Sequence, residues 1–314
     1  MAGADFVAGD WGTSHLRLFL CDAQGGVLDT ASGPGAADSG GQFATIFDSL
    51  VRKWTSDPDE LPAVLCGMVG SSIGWIQAPY VACRARPEEI ATACASLRGG
   101  RIRIIPGLSC RNWFDAPDFM RGEETQILGA IALEPALRQG RKLLCLPGTH
   151  TKWVVLEDGA VNEFLTAPTG ELFNLLSEHS VLVRERGPVG AAGTAAFQQG
   201  LAQIGRFPKA QLLHRLFECR ARSLDGELAP QQAAAFLSGL LIANDIAGAL
   251  SVLANSIVVS AVHLIGSPQL TELYAAGLSL QNYQTSATDG AAAAVAGLAQ
   301  VRRQLAHEAV TNAT

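Results

Sequence analysis

The sequence lacks the marks of several common protein classes. It has no run of basic residues and a formal net charge of −6, which argues against nucleic acid as a main partner. Its seven cysteines are scattered and include no Cys-x-x-Cys pair, so neither a disulfide framework nor a cysteine zinc site is expected. The pattern GxxxxGK[ST], which binds phosphates in one large class of ATPases, is missing as well. If this chain binds ATP, it must do so by another route.

Signals for targeting and for membranes are also weak. The N-terminus carries acidic residues and no apolar core of a signal peptide, and we expect a cytoplasmic protein. The most apolar stretch, residues 237–265, is interrupted by Asn244, Asp245 and Asn255, so we interpret it as core rather than a membrane span. What is present is a chain of 314 residues, 48% hydrophobic and 17% charged, which suits a compact enzyme with room for two domains.

Two segments look like copies of one design. GTSHLRLFLCD begins at Gly12, and GTHTKWVVLED begins at Gly148, 136 residues later. Each follows an apolar run and is followed by a glycine turn, which predicts three strands joined by two turns in each half. One charge is not repeated, since Asp10 in the first copy corresponds to Leu146 in the second. The pattern predicts a site served by two related halves, in which Asp10 has a role of its own.

The rest of the chain alternates helical and extended patterns after each meander. This alternation predicts an α/β protein, with an N-terminal domain over 1–135 and a C-terminal domain over 136–314. We expect a helix over 87–97, a loop over 112–120 and a helix from residue 121 to a stop at Gly140. His179 falls on the apolar face of a predicted helix and is expected in the core.

The two Gly-Thr turns suggest phosphate binding. Successive backbone N–H groups and a hydroxyl in such a turn can bind phosphate oxygens. Asp10 beside the first turn could then hold Mg²⁺, a hard cation that prefers oxygen ligands. The alternative is two ordinary hairpin turns, which fits a single turn better than a pair in register.

An ordered set of motifs carries a resemblance. They are DWGTS (10–14), GMVGSSIGW (67–75), RGEETQILGA (121–130), LPGTHTKW (146–153), TGELFNLLSEHSVL (169–182), FLSGLLIANDI (236–246) and LIGSPQLTELYAAGL (264–278). This set resembles the 2-dehydro-3-deoxygalactonokinase family of the actin/hexokinase superfamily. The resemblance implies a two-domain actin-like ATPase fold, related to ribonuclease H, with a duplicated β-meander plus helices and an interdomain cleft.

The same resemblance implies the reaction and its cofactors. The γ-phosphate of ATP, with Mg²⁺ bound, would pass to the 6-hydroxyl of 2-dehydro-3-deoxy-D-galactonate, chiefly by positioning and charge neutralisation. A base must accept the hydroxyl proton. The segment around Glu123 and Glu124 is also similar to exopolyphosphatases, which makes Glu124 the first choice and Glu123 the second. Asp118 is a further acid candidate. An acidic first helical turn is otherwise a solvated cap.

Binding residues follow from the same motifs. Those implied for the nucleotide are Gly12, Thr13, Ser14, Gly148, Thr149, His150, Lys152, Gly266 and Ser267. Those implied for the sugar acid are Met68, Gly70, Ser71, Trp75, Arg121, Thr169 and Glu171. Arg121 and Lys152 would balance phosphate charge or bind the substrate carboxylate, unless they are solvated surface cations.

Three rival functions remain open at the level of sequence. One is a kinase for another 2-keto-3-deoxy sugar acid, and another is an exopolyphosphatase-like phosphohydrolase that uses water and needs no sugar. The third is a sensor of the same fold that binds nucleotide with negligible turnover. Neither nucleic acid nor a membrane is an expected partner, and a homodimer is left open.

Overall fold

The computed structural model describes residues 3–185, 187, 191–206, 212–254, 257 and 260–311. The chain forms two compact units. The first comprises residues 1–140, 156–163 and 290–314, and the second comprises 141–155 and 164–289. The boundary predicted between residues 135 and 136 stays a prediction, although packing places the C-terminal segment with the first unit.

The strands and helices are numbered in chain order. Strands β1 to β14 are Phe6–Trp11, His15–Cys21, Val27–Pro34, Ala63–Gly67, Tyr80–Ala82, Ala95–Leu97, Ile102–Ile104, Gly107–Arg111, Pro117–Met120, Arg141–Leu146, Thr151–Glu157, Ala160–Ala167, Ala261–Gly266 and Gln284–Asp289. Helices α1 to α10 are Phe43–Val51, Pro87–Thr92, Glu123–Leu133, Thr169–His179, Ala195–Arg206, Leu212–Leu216, Glu218–Asp225, Ala233–Leu253, Pro268–Leu280 and Gly290–Thr311.

The duplication predicted from sequence is confirmed in the sheets. One sheet has the order β3-β2-β1-β4-β7-β6 and another has the order β12-β11-β10-β13-β14. In both, a three-stranded meander is extended by parallel strands, β1 pairing with β4 and β10 with β13. Adding 136 to the bounds of β2 gives the bounds of β11. The α/β class and the repeated meander are therefore confirmed.

Among the described residues, each unit contains a helix crossing in which backbones touch. In the first unit, a Cβ on Gly129 of α3 would lie 1.7 Å from the carbonyl oxygen of Ala293 in α10. A Cβ on Gly297 would lie 2.0 Å from the carbonyl oxygen of Thr125. In the second unit, Gly200 of α5 and Gly239 of α8 approach the partner backbone in the same way. The α3–α10 crossing fixes the helix that carries Glu124.

One helical segment of the described residues, Pro230–Leu253, is long and apolar enough to cross a membrane. Most of its residues are buried inside the fold, and α8, which forms most of it, packs closely on α5. This supports the interpretation of the stretch as core.

Some local predictions were wrong. The predicted loop 112–120 includes β9, which pairs with β8 in a small sheet of order β5-β8-β9. The helix predicted over 87–97 ends at Thr92 and gives way to β6, and α3 ends at Leu133 rather than near Gly140. Strands β6 and β9 have only three and four residues, too few to show a clear period, and their stability comes from pairing with β7 and β8. The side chain of His179 is 72% exposed, so it is not a core histidine.

Candidate active site

The first Gly-Thr turn joins β1 to β2 in the first unit. The Gly12 N–H donates to the His15 carbonyl at 2.9 Å, and the Ala37 N–H donates to the Thr13 carbonyl at 3.0 Å. A Cβ on Gly35 would lie 2.2 Å from the Thr13 carbonyl oxygen, so the segment after β3 braces the turn closely. The side chains of Thr13 and Ser14 are exposed. The turn is thus a fixed hairpin with two hydroxyls at the surface.

Asp10 lies on β1, two residues before that turn. Its Oδ2 lies 2.6 Å from Nη2 of Arg17, directly opposite on β2, and its side chain is 21% exposed. Among the described residues, no group of three His, Cys, Asp or Glu side chains could hold a metal ion. A single carboxylate still fits Mg²⁺, which in nucleotide sites commonly takes one or two carboxylates plus phosphate oxygens and water.

Glu124 is fully buried in the first turn of α3. Its Oε2 accepts the Gly122 N–H at 2.6 Å and its Oε1 accepts the Thr125 hydroxyl at 3.0 Å. Burial, and secondarily the charge of Glu123, raises the pKa of Glu124 to about 8. The interpretation of Glu124 as a solvated cap is therefore wrong. Glu123 is only partly buried and accepts the Arg121 N–H at 3.1 Å.

Two glycines bring Asp10 and the start of α3 to the same edge of the first unit. Gly67 ends β4 with φ 89°, and a Cβ there would lie 3.6 Å from Oδ1 of Asp10. Gly122 has φ 109°, and its Cβ would lie 3.5 Å from the Cα of Gly67. Side chains are disfavoured at both positions because this conformation favours glycine. Gly67 thus lies between the candidate metal ligand and the segment that carries the candidate base.

The loop after β4 holds the predicted substrate residues Met68, Gly70, Ser71 and Trp75. The Ser71 hydroxyl donates to the Met68 carbonyl at 2.8 Å, and the Gly70 carbonyl accepts the Ala78 N–H at 2.9 Å. Trp75 is partly buried and packs against core aromatic rings, with its ring centroid 6.4 Å from that of Trp11 and 5.8 Å from that of Phe47. Its position suits core packing, and its role in substrate binding stays a prediction.

Arg121 lies beside this loop. Its Nη2 donates to the Ala78 carbonyl at 2.9 Å, and its guanidinium carbon lies 4.3 Å from the centroid of the Tyr80 ring. Its Nε and Nη1 are buried with no hydrogen-bond partner among the described residues. A Cβ on Gly70 would lie 3.0 Å from that Nη1, so the glycine leaves space beside the cation. Buried donors of this kind call for an acceptor such as a ligand carboxylate.

Asp118, the third acid candidate, is engaged within its own sheet. It lies on β9, is nearly buried, and accepts hydrogen bonds from Nδ2 of Asn112 at 3.2 Å and from the Phe119 N–H at 2.9 Å. These contacts favour a structural role.

The second Gly-Thr turn, in the second unit, packs on the start of α4. The Glu171 N–H donates to the Thr149 carbonyl at 2.9 Å, and a Cβ on Gly170 would lie 2.4 Å from the Gly148 carbonyl oxygen. Nε2 of His150 lies 2.8 Å from Oε2 of Glu171, with both side chains about half exposed. The predicted residues of the turn and of α4 therefore form one cluster.

Lys152 follows the turn on β11 and is 4% exposed. Its ammonium donates to the Thr166 hydroxyl at 2.8 Å and lies 5.9 Å from the centroid of the Phe164 ring. It is not a solvated surface cation, so that alternative is wrong for Lys152.

Gly266 and Ser267 lie where β13 meets α9. A Cβ on Gly266 would lie 3.4 Å from the Pro147 carbonyl oxygen, which puts this residue next to the second turn. The Ser267 hydroxyl accepts the Leu270 N–H at 3.4 Å as the N-cap of α9. Capping alone explains a serine here.

A cavity of about 290 Å³ opens beside the second turn. It is mostly apolar and has a few polar groups, as ligand pockets usually have. Its lining comprises Gly148, Thr149, Thr169, Gly170, Phe173, Asn174, Ser238, Leu241, Ile242, Gln269, Leu270, Leu273 and Tyr274. Of these, sequence reasoning named Gly148, Thr149 and Thr169 and missed Asn174, Gln269 and Tyr274, which lie inside quoted motifs but have no distinctive spacing.

Comparisons with known proteins agree along the whole chain. A family model described as 2-keto-3-deoxy-galactonokinase matches residues 10–301. A Rhizobium meliloti (strain 1021) protein assigned as a 2-dehydro-3-deoxygalactonokinase is 40% identical over 96% of this chain and 97% of its own. The 2-dehydro-3-deoxygalactonokinase of Escherichia coli (strain K12) is 35% identical over 98% of this chain and 99% of its own.

A solved structure resembles this chain about as closely as these two relatives do. The crystal structure of a Sinorhizobium meliloti protein assigned to the 2-dehydro-3-deoxygalactonokinases has a TM-score of 0.85, with 39% identity. The match covers 96% of this chain and 99% of that one. With the duplicated fold and the motif set in place, the chain belongs to the 2-keto-3-deoxy-galactonokinase family and is a carbohydrate kinase.

Proposed function

We propose that this enzyme transfers the γ-phosphate of ATP to the 6-hydroxyl of 2-dehydro-3-deoxy-D-galactonate in galactonate catabolism. The observation that carries the proposal is the burial of Glu124, a carboxyl with a pKa of about 8 at the edge that also holds Asp10. A general base works best when its pKa lies near the operating pH, because it is then both deprotonated and basic enough to accept a proton. The proton of the substrate 6-hydroxyl goes to Oε1 or Oε2 of Glu124.

A ligand of its own is assigned to each unit. The second unit binds ATP, with Gly148, Thr149 and His150 at the phosphates and Gly266 and Ser267 at the adenosine. The 290 Å³ cavity beside that turn takes the nucleoside part. Lys152 adds positive charge to that phosphate site. The first unit binds the sugar acid. The hydroxyls of Thr13 and Ser14, in its Gly-Thr turn, are proposed to bind phosphate oxygens.

The substrate carboxylate binds Arg121. Its Nε and Nη1 have no partner among the described residues, so either can donate a charge-assisted hydrogen bond to a carboxylate oxygen. Met68, Gly70, Ser71 and Trp75 belong to the same loop region of the first unit and are the proposed sugar-acid contacts. Thr169 and Glu171, expected from the sequence at the sugar acid, are assigned to the nucleotide instead, because Thr169 lines the cavity and Glu171 pairs with His150 of the second turn.

Asp10 is the proposed magnesium ligand. When bound, Mg²⁺ neutralises charge on the phosphates and orients them. Asp10→Asn, which keeps the side-chain size, should raise the Mg²⁺ concentration needed for half-maximal activity by about tenfold or more. Arg17→Gln is the matched variant, since it removes the ion-pair partner of Asp10 and leaves the carboxylate in place. Unchanged Mg²⁺ dependence of Asp10→Asn would remove Asp10 as the ligand.

A coupled ADP-release assay tests the function. The enzyme should release ADP with 2-dehydro-3-deoxy-D-galactonate and not in a no-sugar control, and NMR of the product should place phosphate at O6. The C4 epimer and other 2-keto-3-deoxy acids form the specificity panel. Phosphate release from polyphosphate without sugar would favour the hydrolase, and ADP binding without turnover would favour a sensor. The cytoplasm, where ATP is abundant, is the proposed location.

A further inference from the structure

A hydrogen-bond network centred on Asp245 lies next to the cavity of the second unit. Oδ2 of Asp245 accepts the hydroxyl of Thr169 at 2.7 Å and that of Tyr274 at 2.5 Å. Its Oδ1 accepts the indole N–H of Trp153 at 2.8 Å. The hydroxyl of Tyr274 is also 2.8 Å from Oγ1 of Thr151. One carboxylate on α8 therefore connects β11, α4 and α9.

This carboxylate is unusual for its helix. The other residues of α8 are overwhelmingly apolar, and its turns from Ala233 to Ala243 are buried. A carboxyl group in such surroundings costs free energy unless its oxygens accept hydrogen bonds, and charge-assisted bonds to hydroxyl and indole donors are strong. Each donor is consequently held in one place by a short bond to a rigid helix.

Two of those donors belong to the cavity wall. Thr169 and Tyr274 line the cavity, whereas Asp245 and Trp153 do not. Thr169 is the first residue of α4, and the two residues after it contact the second turn through the Glu171 N–H and the Cα of Gly170. The position of Thr169 therefore sets the start of α4 against Gly148 and Thr149.

We propose that Asp245 is a positioning residue for the nucleotide. It holds Thr169 and Tyr274 so that α4, α9 and the second turn keep the spacing that the nucleotide needs, and it does not contact the nucleotide itself. The inference rests on the proposed function, because it takes the nucleotide to bind in this cavity. Loss of the network should weaken nucleotide binding and leave binding of the sugar acid in the first unit unaffected.

The test compares Asp245→Asn with wild type. Asparagine keeps the size but presents an N–H₂ group where a carboxylate oxygen accepts a hydroxyl. The Kd for Mg·ADP, measured by calorimetry, should rise roughly tenfold to hundredfold, the range for misplacement by a residue remote from the reacting atoms. The KM for ATP should rise by the same factor, while kcat at saturating ATP and the KM for the sugar acid change by less than about threefold.

Trp153→Phe is the matched control. It removes a donor to the same carboxylate from a residue outside the cavity wall, so it should lower Tm and leave the Kd for Mg·ADP unchanged. Asp245→Asn with a lowered Tm and a wild-type Kd would overturn the inference, as would equal weakening by both variants. If Asp245→Asn does not fold, Tyr274→Phe decides in the same way: a raised Kd for Mg·ADP supports the inference and an unchanged Kd overturns it.

A wild-type enzyme that fails to bind Mg·ADP would overturn the nucleotide assignment itself. This outcome separates a failure of the proposed function from a failure of the inference about Asp245.

Discussion

Glu124 is the residue on which the chemistry depends. Glu124→Gln keeps the side-chain size and removes the base, so kcat should fall by roughly 10² to 10⁴ while the Kd for Mg·ADP stays unchanged. Glu123→Gln is the control, because its side chain is only partly buried. Wild-type turnover in Glu124→Gln, with a large loss in Glu123→Gln, would move the base to Glu123.

The pH dependence follows from the raised pKa of Glu124. The base is active when deprotonated, so kcat/KM for the sugar acid should rise with pH towards a plateau above an apparent pKa near 8. Because the charge of Glu123 contributes to that shift, Glu123→Gln should move the apparent pKa downward. A pH profile that does not respond to Glu123→Gln would argue against Glu124 as the titrating group.

Glu124 should also make the free energy of unfolding depend on pH, but in the opposite direction to the activity. Between its ordinary pKa of 4.5 and about 8, folded Glu124 keeps a proton that the unfolded chain releases. Rising pH through this window therefore destabilises the fold, by at most roughly 1.4 kcal/mol per pH unit from this group. The difference in free energy of unfolding between Glu124→Gln and wild type should grow in favour of the variant as pH rises.

Arg121 carries the prediction for substrate recognition. Arg121→Lys keeps the charge but loses the guanidinium whose Nε and Nη1 lack a partner among the described residues, so the KM for the sugar acid should rise roughly tenfold to hundredfold with an unchanged Kd for Mg·ADP. Arg111→Lys is the control, at an exposed arginine on β8 of the small β5-β8-β9 sheet. It should leave the KM for the sugar acid and the Kd for Mg·ADP unchanged. A raised Kd for ADP with a normal KM for the sugar acid would instead assign Arg121 to phosphate.

At the scale of elements, the α3–α10 crossing depends on glycine. An added methyl at Gly129 would overlap the Ala293 carbonyl, so Gly129→Ala should cost about 3 kcal/mol of stability as the helices are forced apart. Gly248→Ala, at an exposed position of α8 with nothing within 4 Å of the added Cβ, should instead stabilise by about 1 kcal/mol through helix propensity. Urea denaturation measures both changes, and equal stability of Gly129→Ala and wild type would contradict the close approach.

Elements also show what the sequence can predict. The meanders were predictable because each strand has its own apolar pattern, and the copy of β2 in β11 is in register to the residue. Strands β8 and β9 were not, because their stability comes from pairing rather than from a local pattern. The burial of Glu124 could not be predicted from the sequence either, because helical spacing does not show which segments cover the first turn of α3.

The site illustrates the same limit. Asp245 stands out in an apolar helix, but its partners Thr169 and Tyr274 are 76 and 29 residues away, so only the fold reveals the network. The unpartnered nitrogens of Arg121 are equally invisible in a motif. Residue types at a site are thus readable from sequence, whereas burial and partners are not.

At the scale of the whole molecule, the alkylation rates of the seven free thiols measure how readily the structure opens. Cys21, Cys66, Cys94, Cys145 and Cys219 are buried, and Cys83 and Cys110 are partly exposed. Burial, and secondarily the charge of Asp245, raises the pKa of Cys145 well above its usual value, and burial raises that of Cys21 to about 11. A buried thiol is alkylated only after local or global opening of the structure, so labelling rates measure opening.

Nucleotide should therefore slow the labelling of Cys145. This residue lies on β10, three positions before Gly148, so an opening that exposes it should also disrupt the proposed phosphate turn. At a hundredfold excess of Mg·ADP over its Kd, the open form should be about 100-fold rarer, and iodoacetamide labelling followed by peptide mass mapping should slow by that factor. Cys21, on β2 of the first unit, is the internal comparison. Protection of Cys145 alone would mean that the units open separately, and equal protection of both would mean that the chain opens as a whole. If saturating Mg·ADP does not change the labelling rate of Cys145, the proposed binding of nucleotide at the second turn is contradicted.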